Sequence, residues 1–480
     1  MTVSLKTRQF ISLSVIFILS LAVAVYLENY YLVLVPFALL LLYAAWNNPR
    51  FIFLLLLFSL PFSFEYNFTP LLGTDIPDEG LMLLASFVAI AGLINSKASN
   101  TRNIINHPLV ILLFLHLAWI VITAIVSTDH LVSFKYVLSK GWYIGAFVLA
   151  PLLIWNDKQD ITVAAKVLVA GITIVVVMII IKHSLLDLTF ANVNDAVSPF
   201  FRNHVNYSSM LVCLLPVVFA FYSGSRRWVR IFLIMLIMLL LAALFFSYAR
   251  GAWVAMVSGA IALLMIHKRR IVTTYILCLL LAIGLLQWLR ADDRYLRYSH
   301  QFSTTIFHKD FREHLVATYK LKDVSTAERF YRWIAGVRMV KDNPLTGVGP
   351  NTFNQHYKPY AIPAYKTWVS DNKEHSTIHN YFLLLIVEQG LPGLIFFIVL
   401  LGAMLYYAQS MYHRATDRMV KKIALTTGVM IVMIATVNFL SDLVETDKVG
   451  SLFFLCLAVL VVIDMQARRS KSSPHIQSIS

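Results

Sequence analysis

The sequence predicts an all-α fold: a polytopic membrane helix bundle of about 12–14 transmembrane helices with one long extracytoplasmic helical loop. Three observations carry that expectation. Of the 480 residues, 59% are hydrophobic and only 14% charged, with a mean hydropathy of +0.72, whereas soluble domains carry about 25% charged residues. Apolar runs long enough to cross the ~30 Å hydrocarbon core recur from Phe10 to Met465, separated by short polar links. Lys and Arg then fall unevenly between alternate links.

Fourteen apolar segments are read near 10–26, 30–45, 51–64, 80–95, 108–127, 136–155 and 161–182, then 206–223, 229–247, 252–266, 271–289, 379–408, 422–441 and 449–465. Some, notably 51–64, are shorter than the ~17 residues a spanning helix usually needs and suit half-buried or re-entrant segments. One set of alternate links, from Lys6 and Arg8 through Arg226 and Lys268 to Arg469 and Lys471, holds 19 cations. The other set holds four, Lys135, Arg202, Arg250 and Lys448. Basic links resist translocation, so both termini are expected in the cytoplasm and the second set outside, with Asp75, Asp442 and Glu445.

Lys6 and Arg8 before an apolar run ending near Ala22-Val23-Ala24 resemble a signal peptide, but another apolar segment follows within a few residues, which favours an uncleaved first helix. The formal charge of +15 does not indicate nucleic acid, because the cations lie between apolar segments, where anionic lipid headgroups meet them. Cys213, Cys278 and Cys456 each sit inside an apolar stretch and suggest neither a disulfide framework nor a thiolate metal site. No 20-to-50-residue repeat, P-loop or dinucleotide fingerprint is present.

The long polar segment 290–378 is the one soluble piece large enough to fold. Two helices are expected in it, over 307–322 and 326–340. The second has a capping-box signal, Ser325 followed three residues later by Glu328, and a stop at Asn343-Pro344 and the glycines of Leu345-Thr346-Gly347-Val348-Gly349-Pro350. Residues 466–480 read as a polar cytoplasmic tail.

Three places could carry chemistry. In the turn Phe246-Ser247-Tyr248-Ala249-Arg250-Gly251-Ala252-Trp253, Arg250 could bind a phosphate bidentately or simply reach lipid headgroups from a helix end. In the loop helix, Arg329 and Arg332 share a face and Trp333 can pack under Arg329, which suits a pyrophosphate but equally a basic helix lying on the membrane. The third place is His375-Ser376-Thr377-Ile378-His379-Asn380-Tyr381. His379 stands where a polar loop enters the membrane, either as a proton acceptor near pH 7 or as a structural imidazole. Nine residues on, Glu388 is a carboxylate inside an apolar segment, costly unless paired or facing a cavity, and Gly390-Leu391-Pro392-Gly393 is expected to kink the helix there.

Taken in order, four stretches resemble the O-antigen ligase and O-antigen polymerase superfamily, the Wzy-type membrane glycosyltransferases. They are Pro199-Phe200-Phe201-Arg202-Asn203-His204-Val205-Asn206-Tyr207, the Ser-x-x-Arg-Gly-Ala-Trp turn at 247–253, Arg329-x-x-x-Trp333 followed by Asn343-Pro344-Leu345-Thr346-Gly347-Val348-Gly349, and His379-Asn380-Tyr381 followed by Glu388-x-Gly390-Leu391-Pro392-Gly393. The match runs from about Pro199 to Leu400. The turn reads Ser-Tyr-Ala-Arg-Gly where the family more often has Ser-x-Ser-Arg-Gly, and fourteen segments are counted where about twelve are usual.

The resemblance implies N-terminal membrane helices over 1–198, a ligase-like catalytic region over 199–408 and C-terminal membrane helices over 409–465. It implies a bacterial inner-membrane enzyme that moves a glycan from undecaprenyl diphosphate to an acceptor hydroxyl: another glycan, lipid A core or a protein. His379, Arg250 and Arg329 take the catalytic positions, Arg332 competing with Arg329. Substrate contacts are expected from Arg332, Arg202, Asn203, Asn206, Trp253, Asn380 and Glu388. Neither metal nor other cofactor is expected, because two guanidinium groups can stabilise a departing diphosphate and no carboxylate cluster stands among these motifs. A chain polymerase would use the same residues. A polysaccharide flippase, the rival of a different class, should show paired broken helices and internal repeats, and neither is clear here.

Overall fold

The computed structural model describes residues 5–28, 34–69, 72–95, 98–291, 324–362 and 377–472. The expected helix over 307–322 lies outside the described residues, as do His375 and Ser376. Sixteen helices of eight residues or more organise the described residues. They are α1 (Leu5–Tyr26), α2 (Leu34–Asn47), α3 (Pro49–Ser59), α4 (Asp78–Asn95), α5 (Ala98–Ile105), α6 (Pro108–Ile125), α7 (His130–Ile154), α8 (Lys158–Ser184) and α9 (His204–Tyr222). Then follow α10 (Arg227–Phe246), α11 (Arg250–His267), α12 (Ile271–Arg290), α13 (Val324–Asp342), α14 (Tyr381–Arg414), α15 (Arg418–Leu440) and α16 (Asp447–Ser472).

Eleven of these are long and apolar enough to span a bilayer, and three shorter apolar helices correspond to α1–α3. Each of the fourteen apolar segments is thus a helix or the core of one. Two features were not anticipated. β1 (Phe64–Thr69) and β2 (Leu72–Ile76) form an antiparallel hairpin, Phe64 opposite Ile76 and Tyr66 opposite Thr74, and α5 is a short amphipathic helix whose polar sequence hides it from a search for apolar runs.

Local chemistry sets the helix starts. Asn48, Asp129, Asp157, Asn203, Asn380 and Asp417 each precede a helix and accept a hydrogen bond from backbone N–H groups of its first turn. The last helix is apolar all round, and its spanning window is 83% buried, against 6% for α12. So α16 lies at the centre of the bundle and α12 on its rim. Around α16 pack α14, α15, α9 and α7, and α11 lies along α15, where Gly259 allows the Met433 side chain close.

Alternate links meet at opposite ends. At one end Lys158 pairs with Asp417, Arg50 with Asp160 (2.6 Å) and His107 with Asp464 (3.2 Å), tying α3, α6, α8, α15 and α16. At the other, Lys448 donates to the Ser63 carbonyl (3.0 Å), the Tyr248 hydroxyl to the Leu188 carbonyl (2.7 Å), and the Tyr381 amide to the Ser441 carbonyl (2.9 Å). The alternation read from Lys and Arg is therefore the alternation of the folded chain.

Candidate functional site

The second end gathers the motifs. α13 packs on the start of α14, and the Trp333 indole donates to the Ile378 carbonyl (2.9 Å), one residue before His379. Gly336 faces Ile378 and Leu383 across this contact, where a methyl group would stand 2.4 Å from the Ile378 side chain. The described α13 runs from Val324 to Asp342 and so already includes Ser325, the residue expected to cap it.

From α13 the chain turns into Asn343–Phe353, which is clipped onto a break in α14. Gly390 has φ 69° and ψ −176°, so the kink expected at Gly390-Leu391-Pro392-Gly393 falls on the first glycine. At that break the Val348 amide donates to the Val387 carbonyl (3.0 Å), the Gly349 amide to the Glu388 carbonyl (3.0 Å) and the Leu391 amide to the Pro344 carbonyl (2.8 Å). A Cβ on Gly390 would meet the Leu345 carbonyl oxygen at 2.0 Å, and one on Gly347 the Glu388 backbone at 2.4 Å. Backbone this close to backbone requires glycine. The Glu388 carboxylate accepts from the amides of Asn351 (2.8 Å) and Phe353 (3.1 Å), so its place inside an apolar helix is explained by loop amides.

His379 has φ 54°, the left-handed region that costs a non-glycine residue energy and that clusters at functional sites. Its imidazole is pushed down to about 3, first by burial and then by the positive charges of Arg332 and Arg329. The two guanidinium groups are therefore close enough to act on one imidazole, which is neutral throughout the neutral pH range. Arg332 is 2% exposed and pairs with the buried Glu328 at 3.0 Å, while Arg329, three residues earlier, is half-buried.

Next to His379 lies the α15–α16 link. The Thr377 side chain hydrogen-bonds Asp442, and Arg202 lies near enough to lower the pKa of that carboxyl, which burial nonetheless raises to about 6. Arg250 opens α11, which runs beside α15, and Gly251 faces Leu440, two residues from Asp442. It follows Tyr248, another left-handed residue (φ 55°), whose ring packs on Phe190. Arg250 is half-buried and stands at the positive end of α11.

Other expected contact residues have visible local work. Asn203 accepts from the amides of Val205 and Asn206 (3.0 Å each) and caps α9, and Asn380 accepts from Leu383 (3.0 Å) and caps α14. Trp253 lies on the first turn of α11, half-buried. The structure also adds residues. Lys140 of α7, 6% exposed, pairs with Glu445 at 2.8 Å, and the Tyr136 hydroxyl donates to the same carboxylate at 2.9 Å. Tyr381 hydrogen-bonds it too, so a polar network runs inward behind His379. The signal was available: Lys140 is an ionisable residue inside an apolar segment, as Glu388 is.

Residues 233–398 match the family model described as O-Antigen ligase. That match supports a likeness of this region to the O-antigen ligase superfamily. The matched region starts in α10, ends in α14 and contains Arg250, Arg329, Arg332, His379 and Glu388, while Arg202, Asn203 and Asn206 precede it. No curated protein matches the chain. The apolar helices make this a multi-pass membrane protein.

Proposed function

We propose that this protein transfers a glycan from undecaprenyl diphosphate to an acceptor hydroxyl at the extracytoplasmic face of a bacterial inner membrane, by an inverting and metal-independent route. The observation that carries the reading is a neutral, half-buried His379 under the field of Arg329 and Arg332, at the bundle end where Arg250 also lies. The acceptor oxygen attacks the anomeric carbon and its proton passes to His379. The bond from that carbon to the diphosphate oxygen breaks, and the electron pair leaves with the diphosphate. Arg250 and Arg329 receive the departing charge, a role that bidentate guanidinium groups fill well in a site shielded from water. Burial and the two arginines keep the imidazole free of a proton before the donor arrives. The donor's diphosphate offsets those positive charges and makes the same imidazole a stronger base when it is needed.

The membrane face rests on the unequal distribution of Lys and Arg between links. Purified protein given undecaprenyl-diphosphate glycan and candidate acceptors should release the diphosphate lipid and form a glycosidic product of inverted configuration, with EDTA leaving the rate unchanged. A rate abolished by EDTA and restored by magnesium would overturn the two-arginine account. In intact cells, a Cys replacing the exposed Asn343, in a Cys278→Ser background, should label with an impermeant maleimide. Labelling that needs permeabilised cells would reverse the assigned orientation.

A further inference from the structure

A large cavity lies at the opposite end of the bundle from His379. It measures 1170 Å³ and is enclosed mainly by α8, α9, α10, α15 and α16. On α8 its wall runs from Ile161 to Ile174, ~20 Å at ~1.5 Å per residue. Leu168, Leu214, Phe232, Leu236 and Leu455 make most of that wall apolar, and the Ser223-Gly224-Ser225 link and Arg418 mark its mouth.

Charge sets this cavity apart from an ordinary crevice between helices. Lys166, Arg418 and Lys422 line it, and no Asp or Glu does. Neighbouring carboxylates are engaged elsewhere, Asp417 with Lys158 and Asp160 with Arg50. Lys422 donates to the Ser223 carbonyl, a neutral partner that leaves its charge uncompensated. Lys166 has no carboxylate partner among the described residues, and it interrupts a mainly apolar run, 161–165 before it and 167–181 after it. An ammonium group so placed on a membrane helix is costly unless it faces a cavity or an anion.

We propose that this cavity is a binding site for an anionic phospholipid of the surrounding leaflet. Its phosphate lies against Lys166, Arg418 and Lys422, and its acyl chains lie along the apolar wall between α8, α10 and α15. A soluble anion would satisfy the cations and leave the apolar depth unfilled; a neutral lipid would do the reverse.

The test is native mass spectrometry of the full-length protein after detergent washing, with phosphatidylglycerol or phosphatidylcholine added back. Wild type should retain phosphatidylglycerol in preference to phosphatidylcholine. Lys166→Glu should weaken that retention about fivefold or more, as expected for a cation beside a lipid phosphate, and Lys166→Arg should keep it. Ala170→Trp, which fills the apolar wall and leaves the cations in place, should reduce retention of both lipids. Should Lys166→Glu not fold, the wild-type preference and the Ala170→Trp loss decide the matter. Equal retention of the two lipids by wild type, no loss in Ala170→Trp, or recovery of a polyprenyl phosphate alone would each overturn the assignment.

Discussion

The two ends of this bundle are built by different rules. At the end that holds Asp157, Asp417 and Lys158, helices start with side-chain caps, and ion pairs such as Arg50–Asp160 and Lys158–Asp417 close the links locally. The end that holds His379 also has caps, but six of the seven described non-glycine residues with left-handed backbone lie there: Glu28, Asp187, Leu188, Tyr248, Asn351 and His379, with Arg269 alone at the other. Buried charge is concentrated there too, in Arg332, Glu328, Lys140, Asp442 and Lys448. One end is built for stable chain reversal. The other accepts strain and desolvated charge, as sites of chemistry commonly do.

Substitutions can break or sharpen that contrast. The largest effect is expected at His379: His379→Ala should lower turnover by ~10²- to 10⁴-fold, the usual contribution of a general base, with donor affinity largely kept. Single-turnover assays on correctly inserted protein measure it, and near-normal turnover would withdraw the assignment. Next come Arg250→Ala and Arg329→Ala, each expected to cost on the order of 10²-fold in kcat and to weaken donor binding too, since a diphosphate is present before and during transfer. Lys at either position should rescue only in part, because a point charge cannot reproduce the bidentate fork. Arg332→Ala should read differently. It breaks the buried ion pair with Glu328, so its main loss is ~3–5 kcal/mol of stability, seen as a lower melting temperature, with a milder effect on donor binding than Arg329→Ala.

The pH profile sharpens the contrast within the site. His379, held at about 3, cannot supply an acid limb near neutrality in kcat/KM, which reports the free enzyme. Asp442, raised to about 6, can: activity should fall as pH drops through 6 and the carboxylate beside Arg202 gains a proton. Asp442→Asn should remove that limb. A limb near 6 that survives in Asp442→Asn would point to another group. The smallest effect belongs to the other end. Lys158→Ala breaks a pair that is a third exposed and should cost ~0–1 kcal/mol in thermal unfolding, leaving transfer untouched.

Much of this architecture was legible in the sequence because a bilayer demands long apolar helices and basic links, two signals that survive without any contact information. Fourteen apolar segments became fourteen helices, and the kink at Gly390 followed from glycine and proline chemistry. What escaped lacked a long apolar run. The β1–β2 hairpin is set by pairing that only a folded neighbour fixes, and the polar α5 offers no apolar run. At the site, Arg250, Arg329 and His379 stood out by residue type and order. That Glu388 would hold loop amides, or that Glu445 would gather Lys140, Tyr136 and Tyr381, depends on contacts across as many as 309 positions of sequence.

The clip at the Gly390 break couples two machines that the chain writes separately. Pro344, Val348, Gly349, Asn351 and Phe353 all bond the 387–391 stretch of α14, and they follow directly on the helix that carries Arg329. The arginine helix and the histidine turn are thereby joined twice, once through Trp333 and once through the loop, like two jaws on one bolt. Whatever movement admits substrate must carry both jaws together, so the distance between His379 and Arg329 stays fixed while the rest of the bundle breathes.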